Sequence, residues 1–126
     1  MMSKIIIYGT AYKAKKLCHY LQDDVEIIAF TESGCREERT LWNGKKCVPI
    51  AEALALNYEY IVIASSAYCE ITSSLIAEGV LPENIIQAFN AHSRFPNTLF
   101  YYNVLDPFQG KVKIFKSLDC LVSEMY

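Results

Sequence analysis

Lys4-Ile5-Ile6-Ile7-Tyr8-Gly9-Thr10-Ala11-Tyr12-Lys13-Ala14 is the stretch that decides the fold. Lys4 to Tyr8 is a β-rich apolar run that stops at Gly9. Beyond the glycine, Ala14, Leu17, Cys18 and Leu21 recur at helical spacing, with Lys13, Lys15 and Lys16 mainly on the opposite, wet face. A strand passing through a glycine turn into an amphipathic helix opens a βα unit. The rest of the first ninety residues repeats that theme.

Asp23-Asp24 ends the helical pattern, and Val25 to Phe30 begins a second strand whose end carries Thr31 and Glu32. A polar loop, Ser33 to Arg39, follows. Asn43-Gly44, set between Thr40-Leu41-Trp42 and Lys45-Lys46-Cys47-Val48, predicts a β-hairpin with positive φ at both turn residues, set outside the main winding. Pro49 opens a short helix, Ile50 to Leu56. Tyr60-Ile61-Val62-Ile63-Ala64 is apolar throughout, as expected of a parallel strand covered on both faces. Ser65-Ser66 is placed to cap the next helix, in which Ala67, Ile71, Leu75 and Ile76 share a face and which ends at Gly79. Pro82-Glu83-Asn84 leads into a last strand, residues 85–88.

Strands alternating with helices predict a three-layer α/β domain. Its sheet is doubly wound and mostly parallel, with strands at 4–8, 25–30, 60–64 and 85–88. Residues 1–126 read as one domain, with a core at 4–90 and an aromatic-rich C-terminal extension at 91–126. That extension holds Phe95, Phe100, Tyr101, Tyr102, Phe108, Phe115 and Tyr126, with a strand-like Val112–Lys116 and a short closing helix over Ser117–Met125.

Composition narrows the function. The chain is 52% hydrophobic and 21% charged, which excludes a disordered segment. A net charge of -2 removes the electrostatic reason to expect nucleic-acid binding. No apolar run approaches the roughly 20 residues of a membrane span, and the start reads as a buried strand rather than a signal peptide. The expected location is the cytoplasm. Cys18, Cys35, Cys47, Cys69 and Cys120 contain no C-x-x-C pair, and His19 and His92 stand apart. Free thiols and no metal are therefore expected.

In an open parallel sheet, ligands bind beyond the carboxyl ends of the strands, where the winding reverses. The loop after the first strand stands where a G-x-G-x-x-G phosphate turn would stand but reads Gly9-Thr10-Ala11-Tyr12-Lys13-Ala14. Gly9 permits the tight turn and Ala14 is small enough for helix against strand. Ala11 places a methyl group where a second glycine would let backbone approach a diphosphate. Glu32 lies 23 positions after Gly9, near the roughly 20 expected of an acid on a ribose 2′-hydroxyl, which favours NAD over NADP. The candidate cofactor-binding residues are Gly9, Thr10, Ala11 and Tyr12 in the loop, Glu32 at the ribose, and Ser65 and Ser66 across the crevice. Read structurally, Gly9 and Glu32 are only a strand-ending turn and a solvated acid. Tyr12 and Lys16 match a Y-x-x-x-K dyad, but on the helix of the phosphate loop they are far from where such a pair does proton transfer. No catalytic residues stand out.

These segments together resemble a known family. Lys4 to Thr10, Ala29-Phe30-Thr31-Glu32, the Asn43-Gly44-Lys45-Lys46 hairpin leading to Val48-Pro49-Ile50, and Tyr60 to Ser66 carry the likeness, over about residues 4–90. They resemble the Rossmann-like nucleotide-binding module that precedes the catalytic domain of bacterial nucleoside-diphosphate-sugar epimerase/dehydratases. A similar module begins sugar-nucleotide acetyltransferases, and related folds bind CoA or NAD(P). The resemblance implies a binding module for NAD(H) or a nucleotide-sugar in polysaccharide metabolism, with turnover left to a catalytic partner chain. The alternatives are a ligand-free protein-interaction or regulatory module and a sugar-nucleotide oxidoreductase component. An uncovered sheet edge and the aromatic extension also predict a homodimer.

Overall fold

The computed structural model of the 126-residue chain describes residues 3–19, 21–65, 67–87 and 102–103. Apart from Tyr102–Asn103, the expectations for the extension at 91–126 lie outside the described residues. So does Ala88.

Five parallel strands form the body of the sheet. The chain runs β1 (Ser3–Tyr8), α1 (Tyr12–Cys18), β2 (Val25–Thr31), β3 (Arg39–Thr40), β4 (Lys46–Cys47), α2 (Ile50–Leu54), β5 (Tyr60–Ile63), α3 (Tyr68–Ala77) and β6 (Ile85–Gln87). A two-residue β7 (Tyr102–Asn103) follows. The sheet order is β3-β4-β2-β1-β5-β6-β7, and only the outermost strands, β3 and β7, are antiparallel to their neighbours. The chain steps outward from β1 to β2 and β4, then returns through α2 to β5 on the other side of β1. The winding therefore reverses between β1 and β5.

The apolar run Ile5-Ile6-Ile7 is continuous because both faces of β1 are covered. Ile5 and Ile7 join Phe30, Val62 and Ile86 under Ala14 and Leu17 of α1. Ile6 points the other way, with Ile61, Ile63 and Ile85, under Ala53 of α2 and Tyr68, Ile71 and Leu75 of α3. Two helical layers enclose one sheet. A side chain such as Ile6, with no exposed surface, contributes roughly 1.5–3 kcal/mol by leaving water.

Strict alternation fails in β2. Ile5 pairs with Ile27 but Ile6 pairs with Ala29, so Ile28 is an extra residue and the strand bulges. After the bulge, Ala29 faces the layer formed by α2 and α3, and Phe30 faces α1.

Local signals account for the helix ends. Gly79 has φ +96°, its N–H donates to the Ile76 carbonyl, and the Val80 N–H reaches back to the Leu75 carbonyl. That is a glycine-terminated helix end sealed by contact between two buried apolar side chains.

Three expectations are corrected. The turn at Asn43-Gly44 is not a primed two-residue turn, because only Gly44 has positive φ, at +79°. The Gly44 N–H donates to the Leu41 carbonyl and the Leu41 N–H to the Lys45 carbonyl, so the loop is Trp42-Asn43-Gly44. This is a type I turn closed by a left-handed glycine, with Asn43 Oδ1 accepting the Lys45 N–H. Nor does the hairpin stand outside the winding, since β4 pairs parallel to β2 through Phe30 and Cys47. In α3 the buried residues are Tyr68, Ile71, Thr72 and Leu75, whereas Ile76 is 44% exposed. The buried stripe lies one residue away from where Ile76 would need it.

Candidate functional site

The ends of β1, β2 and β5 are tied together by backbone. The Gly9 N–H donates to the Thr31 carbonyl at 2.8 Å and the Ala64 N–H to the Tyr8 carbonyl at 2.9 Å. Gly9 has φ +126°, and a Cβ there would lie 2.7 Å from the Ala64 carbonyl oxygen. Only glycine fits, and what crowds it is the backbone beyond β5.

A cleft of about 410 Å³ opens over these ends, at the reversal of the winding. Tyr8, Gly9, Thr10 and Ala11 line it from the first strand and loop, and Glu32 and Ser33 from the second. Ala64 and Ser65 line it from beyond β5, with Ala67, Glu70, Ile71 and Ser74 at and along α3. Five of the residues expected from sequence, Gly9, Thr10, Ala11, Glu32 and Ser65, thus share one cavity. Tyr12 does not line it and is 63% exposed at the start of α1. Ser66 lies outside the described residues.

The polar groups of the cleft are largely bonded to one another. Thr10 Oγ1 donates to Glu32 Oε2 at 2.5 Å. The Arg39 guanidinium grips Glu32 Oε1 and also donates to Thr10 Oγ1 at 3.3 Å. Both carboxylate oxygens are therefore engaged from within the chain. Partial burial pulls the Glu32 pKa upward, but the hydrogen bonds from Thr10 and Arg39, with the arginine charge, outweigh it and leave the carboxyl below its ordinary value. The Tyr8 hydroxyl lies 2.8 Å from Ser33 Oγ.

Ser65 serves the backbone rather than the helix interior: its Oγ accepts the Ala67 N–H at 3.1 Å. The N-cap of α3 is Ala67, with no side-chain cap, which corrects the expected serine cap. The acid in the first turn of α3 is Glu70, which complements the positive end of the helix. At the phosphate-loop position, the N-cap of α1 is Ala11, also without a side-chain cap, on a helix of only seven residues. Among the described residues lining the cleft there is no lysine or arginine. Nor do the described residues hold a group of three or more His, Cys, Asp or Glu side chains placed for a metal ion.

Sequence reasoning missed Arg39, Glu70 and Ser74. Glu70 and Ser74 are four apart on α3, so their shared face was open to periodicity. Arg39 carried no such signal, because the turn and pairing of β3 and β4 bring it to Glu32. No helix of the described residues is long and apolar enough to cross a membrane.

No curated protein matches the chain. The family model described as C2185-like, N-terminal, matches residues 1–86 of the 126, and the chain belongs to that family.

Proposed function

We propose that the chain is a protein-interaction or regulatory module on a doubly wound α/β scaffold whose crevice is not furnished for a dinucleotide. The observation that carries this reading is the Thr10–Glu32–Arg39 cluster. The acid expected to receive a ribose hydroxyl already has both oxygens bonded inside the chain. A ribose would have to displace a charge-assisted contact, which costs part of its own binding energy. Two further features agree. Gly9 is required by the Ala64 carbonyl, so its presence needs no phosphate to explain it. A diphosphate in this cleft would face Glu32 and Glu70 with no lysine or arginine among the described lining residues.

The second reading, NAD(H) or a nucleotide-sugar in sugar-nucleotide metabolism, rests on one observation: the cleft sits at the reversal of the winding. A thermal-shift panel with NAD, NADP, UDP-sugars, CoA and S-adenosylmethionine separates the two. The interaction reading expects no rise in midpoint at millimolar ligand, because ligand that binds the folded state must raise it. A saturable rise with any nucleotide, abolished by Glu32→Ala, would restore the nucleotide reading.

A further inference from the structure

We propose that Cys35 and Cys47 form a reversible dithiol–disulfide site that takes a low-molecular-weight disulfide as its oxidant. The two thiols come from different elements, the loop after β2 and strand β4. Cys47 Sγ donates to Cys35 Sγ across 3.5 Å, and Cys35 Sγ in turn donates to the Glu37 carbonyl at 3.4 Å. A disulfide requires about 2.05 Å, so a closure of roughly 1.5 Å joins them. Cys47 is fully buried and held by strand pairing to Phe30 and Arg39, while Cys35 is half-buried in a largely exposed loop. The loop is the side that moves.

Exposure divides the chemistry between the two. The Cys35 thiolate attacks one sulfur of the external disulfide, expelling one thiolate, which takes a proton, and leaving a mixed disulfide on Cys35. The Cys47 thiol then loses its proton, attacks the Cys35 sulfur and expels the second thiolate. Two protein thiols are oxidised to one disulfide, and one external disulfide is reduced to two thiols. In the dithiol, burial first and then the contact with Cys35 raise the Cys47 pKa; burial persists after Cys35 has reacted, so the second step is the slow one and the mixed disulfide precedes the cross-link.

The position gives the bond a consequence. Cys47 stands opposite Arg39 in the β3–β4 pair, and Arg39 holds Glu32 at the cleft. A Cys35–Cys47 bond ties the loop between Glu32 and Arg39 to the strand beneath that contact. This inference stands on the thiol geometry alone and is independent of what the cleft binds.

The test equilibrates the full chain in glutathione buffers from fully reduced to fully oxidised, then quenches, alkylates and maps the peptides. Cys18 on α1 and Cys69 on α3 lie in opposite helical layers and serve as internal controls. The expected result is joint loss of alkylation at Cys35 and Cys47, with a cross-linked peptide lighter by two hydrogens and reversed by dithiothreitol. Cys47→Ala should leave Cys35 as a persistent mixed disulfide, and Cys35→Ser should leave Cys47 alkylatable. If the folded wild-type chain shows no Cys35–Cys47 peptide at the most oxidising ratio, the site does not exist. A bond that appears only after denaturation overturns it equally.

Discussion

In β1 and β5, Ile5 to Ile7 and Ile61 to Ile63 have no exposed surface, whereas β3 and β4 bury only Cys47 of their four residues. The centre is held by apolar side chains on both faces of two adjacent parallel strands. The β3–β4 edge is held by a series of particular contacts. Arg39 meets Glu32, Lys46 lies 3.2 Å from Glu38, Thr31 Oγ1 donates to the Val48 carbonyl at 2.8 Å, and Trp42 packs edge-on against Phe30 with Lys15 over its ring. Burial in the centre is insensitive to salt and pH, while exposed ion pairs at the edge are weak and screened. The side of the cleft lined by Glu32, which Arg39 holds from outside it, therefore rests on the less robust region.

Breaking the centre should produce the largest effect. Leu75→Ala removes a fully buried side chain between α3 and the sheet and should cost about 3 kcal/mol, read as a fall in the urea midpoint. Gly9→Ala forces a side chain into positive φ against the Ala64 carbonyl and should cost about 2 kcal/mol in the same measurement. An unchanged midpoint would mean that β1 and β5 do not approach as described. At the join between the two regions, Thr31→Val leaves the buried Val48 carbonyl without its hydroxyl donor and should cost about 1 kcal/mol.

The smallest effect belongs to the edge and is best seen through pH. The folded-state pKa of Glu32 lies below its unfolded value, so its contribution is fully present above the unfolded pKa of about 4.3. It is lost as the pH falls through the folded-state value. Wild type should exceed Glu32→Gln in urea midpoint by a small margin at neutral pH, and the margin should shrink on acidification and vanish once the pH is below the folded-state value. A margin that persists in acid would show that the carboxylate charge is not what holds Arg39.

The legibility of the chain follows the same division. All four strands expected in the parallel core are present, because long apolar runs ending at Gly9, Thr31 and Ala64 report burial directly. Five cleft residues were legible from their places at strand ends. Ile76 misled because a helix of ten residues offers several overlapping apolar stripes, and packing against the sheet selects one. Asn43 misled because an Asn-Gly pair fits more than one turn, and the extra loop residue that the β3–β4 register demands cannot be read locally.

What the sequence determined by itself is the alternation of strands and helices, the turn at Gly9 after β1 and the ending of α3 at Gly79. Each follows from backbone conformation and hydrophobic period, which act over a few residues. Only the tertiary structure decided that β4 joins the parallel sheet, that Ile28 bulges, that Arg39 closes on Glu32, and that Cys35 meets Cys47. Those contacts join residues separated by intervening turns, and their geometry depends on strand register, which no local pattern encodes.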